Sequence, residues 1–204
     1  MGTVILFAIL VSIILVVIMV TNRVVPKVPE ELIGVLRPVP RPLQPFAFKD
    51  QTGELYAQAN LEGKWTFLFF GYTYCPDICP TTLTVLSAMI EQLEARFEFT
   101  QDVQIVLVSV DPQRDKPELL AKYLSYFDED FIGITAGNDE TLKLANQFGA
   151  MFFKEEGSDS ENYLIAHTGS IFLVNPEVEF VASFSPPHDK NTIATQFETI
   201  RDLN

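Results

Sequence analysis

Residues 65–79 read WTFLFFGYTYCPDIC, an apolar run followed by a loop that carries two cysteines. The run over 65–70 has the length and the continuous apolar character of a strand that is buried on both faces. Cys75 and Cys79 are the only cysteines in the chain. If the segment from Pro76 onward is helical, their i, i+4 spacing puts both sulfur atoms on one face of the helix. The pair can then close a disulfide or bind one soft metal ion.

Helices and strands alternate along the chain after the cysteine loop. Apolar residues at i+3 and i+4 spacing predict an amphipathic helix directly after the loop, and Asn175-Pro176-Glu177 is a hairpin signal between two apolar runs. Asp115 is the predicted cap of a helix that begins at Pro117. The predicted strands are 65–70, 103–110, 131–135, 171–174 and 178–184, and the predicted helices are 81–97, 117–127, 139–148 and 191–203.

This order predicts the fold class. Alternation followed by a hairpin indicates an α/β domain with a mixed sheet flanked by helices. A cysteine pair at the end of a central strand, opening a helix, is the thioredoxin arrangement. The carboxyl ends of such strands form a crevice in which ligands bind. We therefore expect a thioredoxin-like domain with a functional site at the cysteine loop.

The cysteine loop suits either redox or metal chemistry. A cysteine at a helix N-terminus has a lowered pKa because the helix dipole favours the thiolate, which is both the nucleophile and the metal ligand. An inert structural disulfide is the alternative for two cysteines in an exported domain. A disulfide that closes so small a ring restricts the unfolded chain little, which disfavours that alternative.

His167 is the candidate third member of the site. Its segment, residues 163–170, faces the cysteine loop in a thioredoxin fold, and it lacks the proline that thioredoxins carry there. Taken in isolation, a lone histidine is more often a hydrogen-bonded structural residue than a ligand. Two thiolates and one imidazole suit copper, since sulfur satisfies Cu(I) and imidazole helps to hold Cu(II). Zinc accepts the same three groups but requires a fourth ligand or water.

Charge and length exclude some functional classes. The chain has 204 residues and a formal net charge of −13. It has no basic stripe to neutralise phosphates, so nucleic acid is excluded as a partner. An acidic surface assists the approach of a metal cation or a basic partner. The length leaves room for one domain of ordinary size beside the apolar N-terminal segment.

The N-terminal segment predicts a membrane anchor. Val4 to Val20 is apolar except for Ser12 and would span about 25 Å as a helix, the short end of what crosses a bilayer. It has neither a basic start nor an A-x-A pattern, which disfavours a cleaved signal peptide. We predict a transmembrane anchor over 1–22, a proline-rich extended spacer over 23–45 and a thioredoxin-like copper-binding domain over 46–204.

Two segments resemble the Sco/SenC family of membrane-anchored, thioredoxin-like copper proteins of cytochrome c oxidase assembly. Residues 71–83, GYTYCPDICPTTL, are similar to the C-P-D-x-C-P loop of that family, and residues 108–115, VSVDPQRD, resemble its S-V-D-P-x-R-D segment. The similarity covers roughly residues 45 to 200, plus the anchor. It implies Cys75, Cys79 and His167 as copper ligands. Ala166 stands where many members carry Asp, which leaves open how the imidazole is supported. Lys116 and Val178 also replace the usual Thr and turn Gly.

The resemblance implies a copper metallochaperone that serves the dinuclear copper site of cytochrome c oxidase. The implied partners are the copper-site subunit of the oxidase, other copper chaperones and thioredoxin-like reductants. The alternative is a thiol-disulfide oxidoreductase that uses Cys75 and Cys79 as a redox pair to reduce the oxidase cysteines. A thiol peroxidase is disfavoured, because Tyr72 and Pro76 stand where its Thr or Ser would be.

The resemblance also implies a location. It places the domain on the periplasmic side of the cytoplasmic membrane, held by a single span. Four basic residues follow the span, and by the positive-inside rule they would keep the domain in the cytoplasm. Long translocated domains largely escape that rule. We therefore expect the periplasmic orientation.

Three further residues have two readings each. Asp77 tunes the thiolates or contacts a partner, or else it is a helix-capping or turn carboxylate. Asp111 is a functional carboxylate or a structural turn residue at a strand end. His188 is a stray fourth ligand or a surface histidine.

Overall fold

An eight-stranded mixed sheet carries the fold. A computed structural model of the chain describes residues 10–12, 28–96, 102–155 and 163–203. The strands are β1 Leu36–Pro42, β2 Ala47–Asp50, β3 Leu55–Ala57, β4 Trp65–Gly71, β5 Val103–Ser109, β6 Ile132–Thr135, β7 Phe152–Lys154, β8 Ile165–His167, β9 Ile171–Val174 and β10 Glu179–Phe184. The helices are α1 Ile78–Arg96, α2 Pro117–Leu124, α3 Asn138–Phe148 and α4 Lys190–Leu203, with short 3₁₀ turns at Glu30–Leu32 and Gln58–Asn60.

The main sheet has the order β1-β10-β9-β4-β5-β6-β2-β3, while β7 and β8 form a separate two-stranded ladder. Strands β4, β5 and β6 run parallel, and the other pairs in the sheet are antiparallel. The mixed, thioredoxin-like sheet that the alternation of elements predicts is therefore confirmed.

Strand β4 lies at the centre of the core. Each of its seven residues is buried. Phe67 packs edge-to-face on Phe197 of α4, whereas Phe70 packs on Phe148 of α3. Successive side chains of a strand point to opposite faces, so helices cover both faces of β4. This explains why its sequence is continuously apolar, and it fixes the position of the cysteine loop that follows.

The predicted elements are found with shifted ends. Helix α1 begins at Ile78, three residues before the predicted start, so Cys79 lies in its first turn; position 97 lies outside the described residues. Helix α3 ends as predicted at Gly149, which has a φ of 71°. The hairpin of β9 and β10 is present. Its turn includes Val178 with a φ of 62°, a conformation that favours glycine.

The predicted cap of α2 is wrong. The N-cap position is Lys116, and it makes no side-chain capping hydrogen bond. Asp115 is instead buried, and it accepts hydrogen bonds from Thr73 and Ser109. A carboxylate that is satisfied by the cysteine loop is unavailable to the helix, which local sequence rules do not foresee.

The predicted extent of the spacer is wrong at its C-terminal end. Strand β1 lies within residues 23–45 and pairs antiparallel with β10 at the edge of the sheet. Leu32 and Leu43 are buried in the core. The compact unit therefore begins near residue 31. The prolines of β1 are compatible with this edge position, because an edge strand has one side without ladder hydrogen bonds.

The predicted anchor over 1–22 falls almost wholly outside the described residues, of which only 10–12 belong to it. Within the ranges that the structure describes, no helix has the length and apolar character needed to cross a membrane.

Candidate metal centre

Three side chains from two distant segments converge at the carboxyl end of β4. Cys75 lies in the loop after β4, Cys79 in the first turn of α1, and His167 at the end of β8. The Nε2 atom of His167 lies 3.4 Å from Sγ of Cys79 and 3.8 Å from Sγ of Cys75. The three ligand atoms all lie within 4.8 Å of one another. The structure thus brings together the three residues that the sequence analysis proposed.

Close packing at Gly71, the last residue of β4, positions the loop between β4 and α1. A β-carbon at this position would lie 2.8 Å from both Sγ of Cys79 and a ring carbon of Phe69. Such a contact is shorter than packed carbon and sulfur atoms tolerate. Glycine therefore allows the sulfur of Cys79 to lie against the end of the strand.

Hydrogen bonds to Asp115 also fix the position of the same loop. Its carboxylate accepts hydrogen bonds from the backbone and hydroxyl of Thr73 and from the hydroxyl of Ser109. Burial raises the pKa of Asp115, partly offset by these hydrogen bonds. The carboxylate links the loop to the end of β5, and so restricts where Cys75 can lie.

The two cysteines are free thiols with different surroundings. Cys79 is fully buried, and burial together with the neighbouring Cys75 raises the pKa of its thiol. Cys75 is partly exposed. A hydrogen bond from the Cys79 side chain lowers the pKa of Cys75 to about 4 against the opposing effect of burial, and His167 and the backbone N–H groups of Asp77 and Cys79 also contribute. Cys75 is therefore the thiolate at neutral pH.

The imidazole of His167 is oriented by its surroundings. Its Nδ1 lies 3.2 Å from the carbonyl oxygen of Thr168; when Nδ1 donates to this oxygen, the lone pair of Nε2 is available to a metal ion. The rings of Phe69 and Tyr72 pack edge-on against it, each with a centroid distance of 5.9 Å. A backbone carbonyl thus supplies the support that Ala166 lacks.

Tyr72 joins the histidine strand to the cysteine loop. Its hydroxyl accepts a 3.1 Å hydrogen bond from the backbone N–H of Ile165 in β8. On its other side β8 pairs with β7, where Phe152 lies opposite His167. Sequence reasoning missed Tyr72 and Gly71 as site residues, although both lie within the loop motif that it singled out.

This donor set fits a soft or borderline metal ion. Two sulfurs and one imidazole nitrogen within 4.8 Å can approach a common ion. Thiolate ligands favour Cu(I), and imidazole suits Cu(II) and zinc. His188 does not join the group: its Nε2 donates to the carbonyl of Gly169 at 2.8 Å, so a role as fourth ligand is not supported by its contacts.

The two predicted carboxylates take different positions. The side chain of Asp77 is exposed, and its backbone carbonyl accepts from Thr81 N–H at the start of α1. Asp111 is buried, accepts a hydrogen bond from Tyr163 at 2.7 Å and pairs with Arg114. Asp111 is thus a structural residue beside the site, as the structural reading of its turn position predicts.

Comparisons with known proteins agree with this architecture. The crystal structure of Arabidopsis thaliana ScoI with copper bound superposes with a TM-score of 0.72 at 33% identity, covering 78% of this chain and 98% of that chain. The structure of BsSco, a member of the Sco family of cytochrome c oxidase assembly proteins with an identified disulfide switch, has a TM-score of 0.65 at 25% identity, covering 83% and 99%.

The sequence comparisons point the same way. The mitochondrial SCO1 homolog 1 of Arabidopsis thaliana is 36% identical over 149 residues, which are 73% of this chain and 44% of that relative. The chain therefore spans less than half the length of this relative. The SCO1/SenC family model matches residues 37–202, from the first strand of the sheet to the last helix. With this match and the Cys75–Cys79–His167 centre inside it, the chain belongs to the SCO1/SenC family.

Proposed function

We propose that this chain binds one copper ion through Cys75, Cys79 and His167 and delivers it to the dinuclear copper site of cytochrome c oxidase. The observation that carries the proposal is the convergence of the three ligand atoms within 4.8 Å. The copper-bound structure of the related Arabidopsis thaliana ScoI supports the choice of metal. Membership of the Sco family, which includes oxidase assembly proteins, supports the choice of pathway.

The unequal exposure of the two sulfurs suits transfer by ligand exchange. Cys75 is partly exposed, whereas Cys79 is buried beneath it. A thiolate of the acceptor protein can approach the metal from the Cys75 side and replace Cys75 first. Cys79 and His167 then release the ion to the acceptor. Copper remains bound at each step, and the thiolates end as free groups on this chain.

A thiol-disulfide exchange activity is a second candidate, favoured by the low pKa of Cys75. An exposed thiolate can attack a disulfide of the partner protein and form a mixed disulfide, with one partner thiolate leaving. Cys79 then attacks Cys75, loses its proton to solvent and releases the second partner thiolate. The products are a Cys75–Cys79 disulfide and a reduced partner. His167 is not needed for these steps.

The two functions separate in cells that carry single variants. Copper delivery requires all three ligands, so His167→Ala, Cys75→Ser and Cys79→Ser should each abolish oxidase assembly. If reduction is the main task, the two cysteine variants fail while His167→Ala supports normal oxidase activity. His188→Ala is the matched control, because it removes the other histidine without removing a ligand. Normal activity in His167→Ala would overturn copper delivery in favour of reduction.

We also propose that the domain lies on the periplasmic side of the cytoplasmic membrane, held by the apolar segment Val4 to Val20. The length of that segment supports a membrane span, and the family resemblance supports the orientation. A reporter that is active only after export, fused after Asn204, should be active. A reporter that is active only in the cytoplasm provides the matched fusion, and activity of that second fusion would contradict the proposed orientation.

A further inference from the structure

The second motif of the sequence, VSVDPQRD over 108–115, lies beside the metal centre and provides no ligand. We propose that Arg114 of this motif is a positioning residue that holds the cysteine loop and the histidine strand at metal-binding distance. The inference deepens the proposed copper site and rests on it for one of its two readouts. The side chain acts through neighbouring tyrosines, since Arg114 is not among the three ligands.

Arg114 lies among three tyrosine rings. Its guanidinium carbon is 3.6 Å from the ring centroid of Tyr163, 4.7 Å from that of Tyr74 and 5.7 Å from that of Tyr72. Lys154 lies over the ring of Tyr163 as well, at 3.9 Å. Contacts of this kind are attractive because the ring face carries negative potential.

The three rings belong to the two segments that carry the ligands. Tyr72 and Tyr74 precede Cys75 in the loop after β4, and Tyr163 leads into β8, which ends at His167. One guanidinium therefore contacts both segments at once. By contrast, the side-chain hydrogen bonds of Asp115 join the cysteine loop to the end of β5 and do not involve β8.

A buried counter-ion completes the arrangement. Nε of Arg114 donates to Asp111, and the hydroxyl of Tyr163 donates to the other carboxylate oxygen of Asp111 at 2.7 Å. The side chain of Arg114 is 15% exposed and that of Asp111 is 2% exposed. Two charges removed from water are costly to separate, so the pair has little freedom to move. The tyrosine that leads to β8 is thereby fixed relative to the cysteine loop.

Lysine cannot replace this arginine without loss. A guanidinium is planar and stacks on aromatic rings while it donates to a carboxylate, whereas an ammonium is a compact, strongly hydrated charge. Nη2 of Arg114 is buried and has no hydrogen-bond partner among the described residues. An ammonium in the same place would lose more hydration and gain less from the rings.

The test compares Arg114→Ala, Arg114→Lys and Tyr163→Phe with the wild type. Arg201→Ala is the matched control, because it removes an arginine paired with Asp102 at the opposite end of β5. One readout is Cu(II) affinity by competition, with the nitrogen hyperfine coupling of His167 in the EPR spectrum. The other is the set of ring-proton NOEs between Tyr72 and His167 in the metal-free, reduced protein.

We expect Arg114→Ala to bind Cu(II) about 10–100-fold more weakly, as is typical when a partner that orients a ligand is lost. The nitrogen coupling and the Tyr72–His167 NOEs should weaken with it. Arg114→Lys should recover only part of the affinity, and Tyr163→Phe should show a smaller loss. Arg201→Ala should match the wild type in both readouts.

Wild-type affinity and NOEs in Arg114→Ala would overturn the proposal. A fall in the melting temperature of this variant would not rescue it, because a merely structural role lowers stability alone. If Arg114→Ala fails to fold, wild-type affinity and NOEs in both Arg114→Lys and Tyr163→Phe overturn it. If the wild type binds no copper, the proposed function fails by itself, and the NOEs of the metal-free variants still decide the role of Arg114.

Discussion

His167 and Cys79 lie 88 positions apart in the chain, and Nε2 of the imidazole lies 3.4 Å from Sγ of the thiol. The contact joins the ladder of β7 and β8 to the first turn of α1. An ion bound here would cross-link two segments that also meet through the hydrogen bond of Tyr72 with Ile165 and through the contacts of Arg114 with Tyr74 and Tyr163. Metal ligation of this kind contributes to folding stability. A bound ion would therefore also stabilise the packing of the cysteine loop against β8.

His167→Ala should weaken Cu(II) binding by more than about 100-fold, because loss of a ligand costs more than the 10–100-fold that loss of its supporting partner costs. Cu(I) binding should fall less, since both thiolates remain. Competition titrations with each oxidation state provide the measurement. His188→Ala, the matched control, should bind both ions as the wild type does. Equal loss in the two histidine variants would contradict the assignment of His167.

Cys75 should be alkylated selectively. Its pKa of about 4 keeps it as the thiolate at pH 6, whereas burial and the raised pKa keep Cys79 protonated and inaccessible. Iodoacetamide at pH 6, followed by peptide mass spectrometry, should label Cys75 only. The rate should stay nearly constant from pH 8 to pH 6 and fall only as the pH approaches 4. A rate that drops tenfold for each pH unit below 8 would show an ordinary thiol instead.

Cys75→Ser is the control for that labelling experiment. In this variant the native protein should take up no label at pH 6, since Cys79 remains buried. After unfolding in urea Cys79 should react, because unfolding exposes its thiol and removes the rise in pKa that burial causes.

Gly71→Ala should disrupt the centre. The added methyl group would lie 2.8 Å from Sγ of Cys79 and 3.0 Å from a side-chain carbon of Leu107. Overpacking of this kind costs about 1–3 kcal/mol, and here the displaced sulfur is a ligand. Urea unfolding should show the loss of stability, and a copper titration should show weaker binding.

Gly137→Ala is the matched control for Gly71→Ala. A methyl group added at Gly137 would meet no atom within 4 Å, and the residue caps α3. The change should cost about 0.5 kcal/mol, because Ala is a poorer cap than Gly, and copper affinity should be unchanged. Similar copper affinity in the two alanine variants would contradict the close packing at Gly71.

Asp115→Asn should change how stability depends on pH. Burial raises the pKa of Asp115 above 3.8, so between 3.8 and the raised value the folded protein holds a proton that the unfolded chain has released. In that window this carboxyl makes the free energy of unfolding fall as the pH rises. The wild-type value minus the Asp115→Asn value should therefore fall with rising pH and level off above the folded pKa. Urea unfolding at a series of pH values from 4 to 7 measures it, and a difference that rises with pH would contradict the shift.

Local patterns sufficed for the centre of the fold. The apolar run of β4, the hairpin of β9 and β10 and the end of α3 at Gly149 are all set by side-chain periodicity or by backbone preferences within a few residues. The same patterns failed for Asp115, which binds Thr73 rather than the helix next to it. They also missed β1, β2, β3 and the ladder of β7 and β8, because strands without a clear apolar pattern acquire their identity from the partner with which they pair.

Local sequence rules were enough to place both cysteines in one loop between a buried strand and a helix, because the apolar run of 65–70 and the periodic apolar residues after the loop mark those two elements. The expected place of residues 163–170 in a thioredoxin fold pointed to His167, but how its imidazole reaches the sulfurs depends on the tertiary structure. Both histidines lie in loops or strand ends after residue 160, and no local rule separates them. Packing of β8 against Tyr72 and Phe69 directs Nε2 of His167 to the sulfurs. His188 is instead hydrogen-bonded to the carbonyl oxygen of Gly169. That choice depends on contacts between residues far apart in the chain, which spacing cannot express.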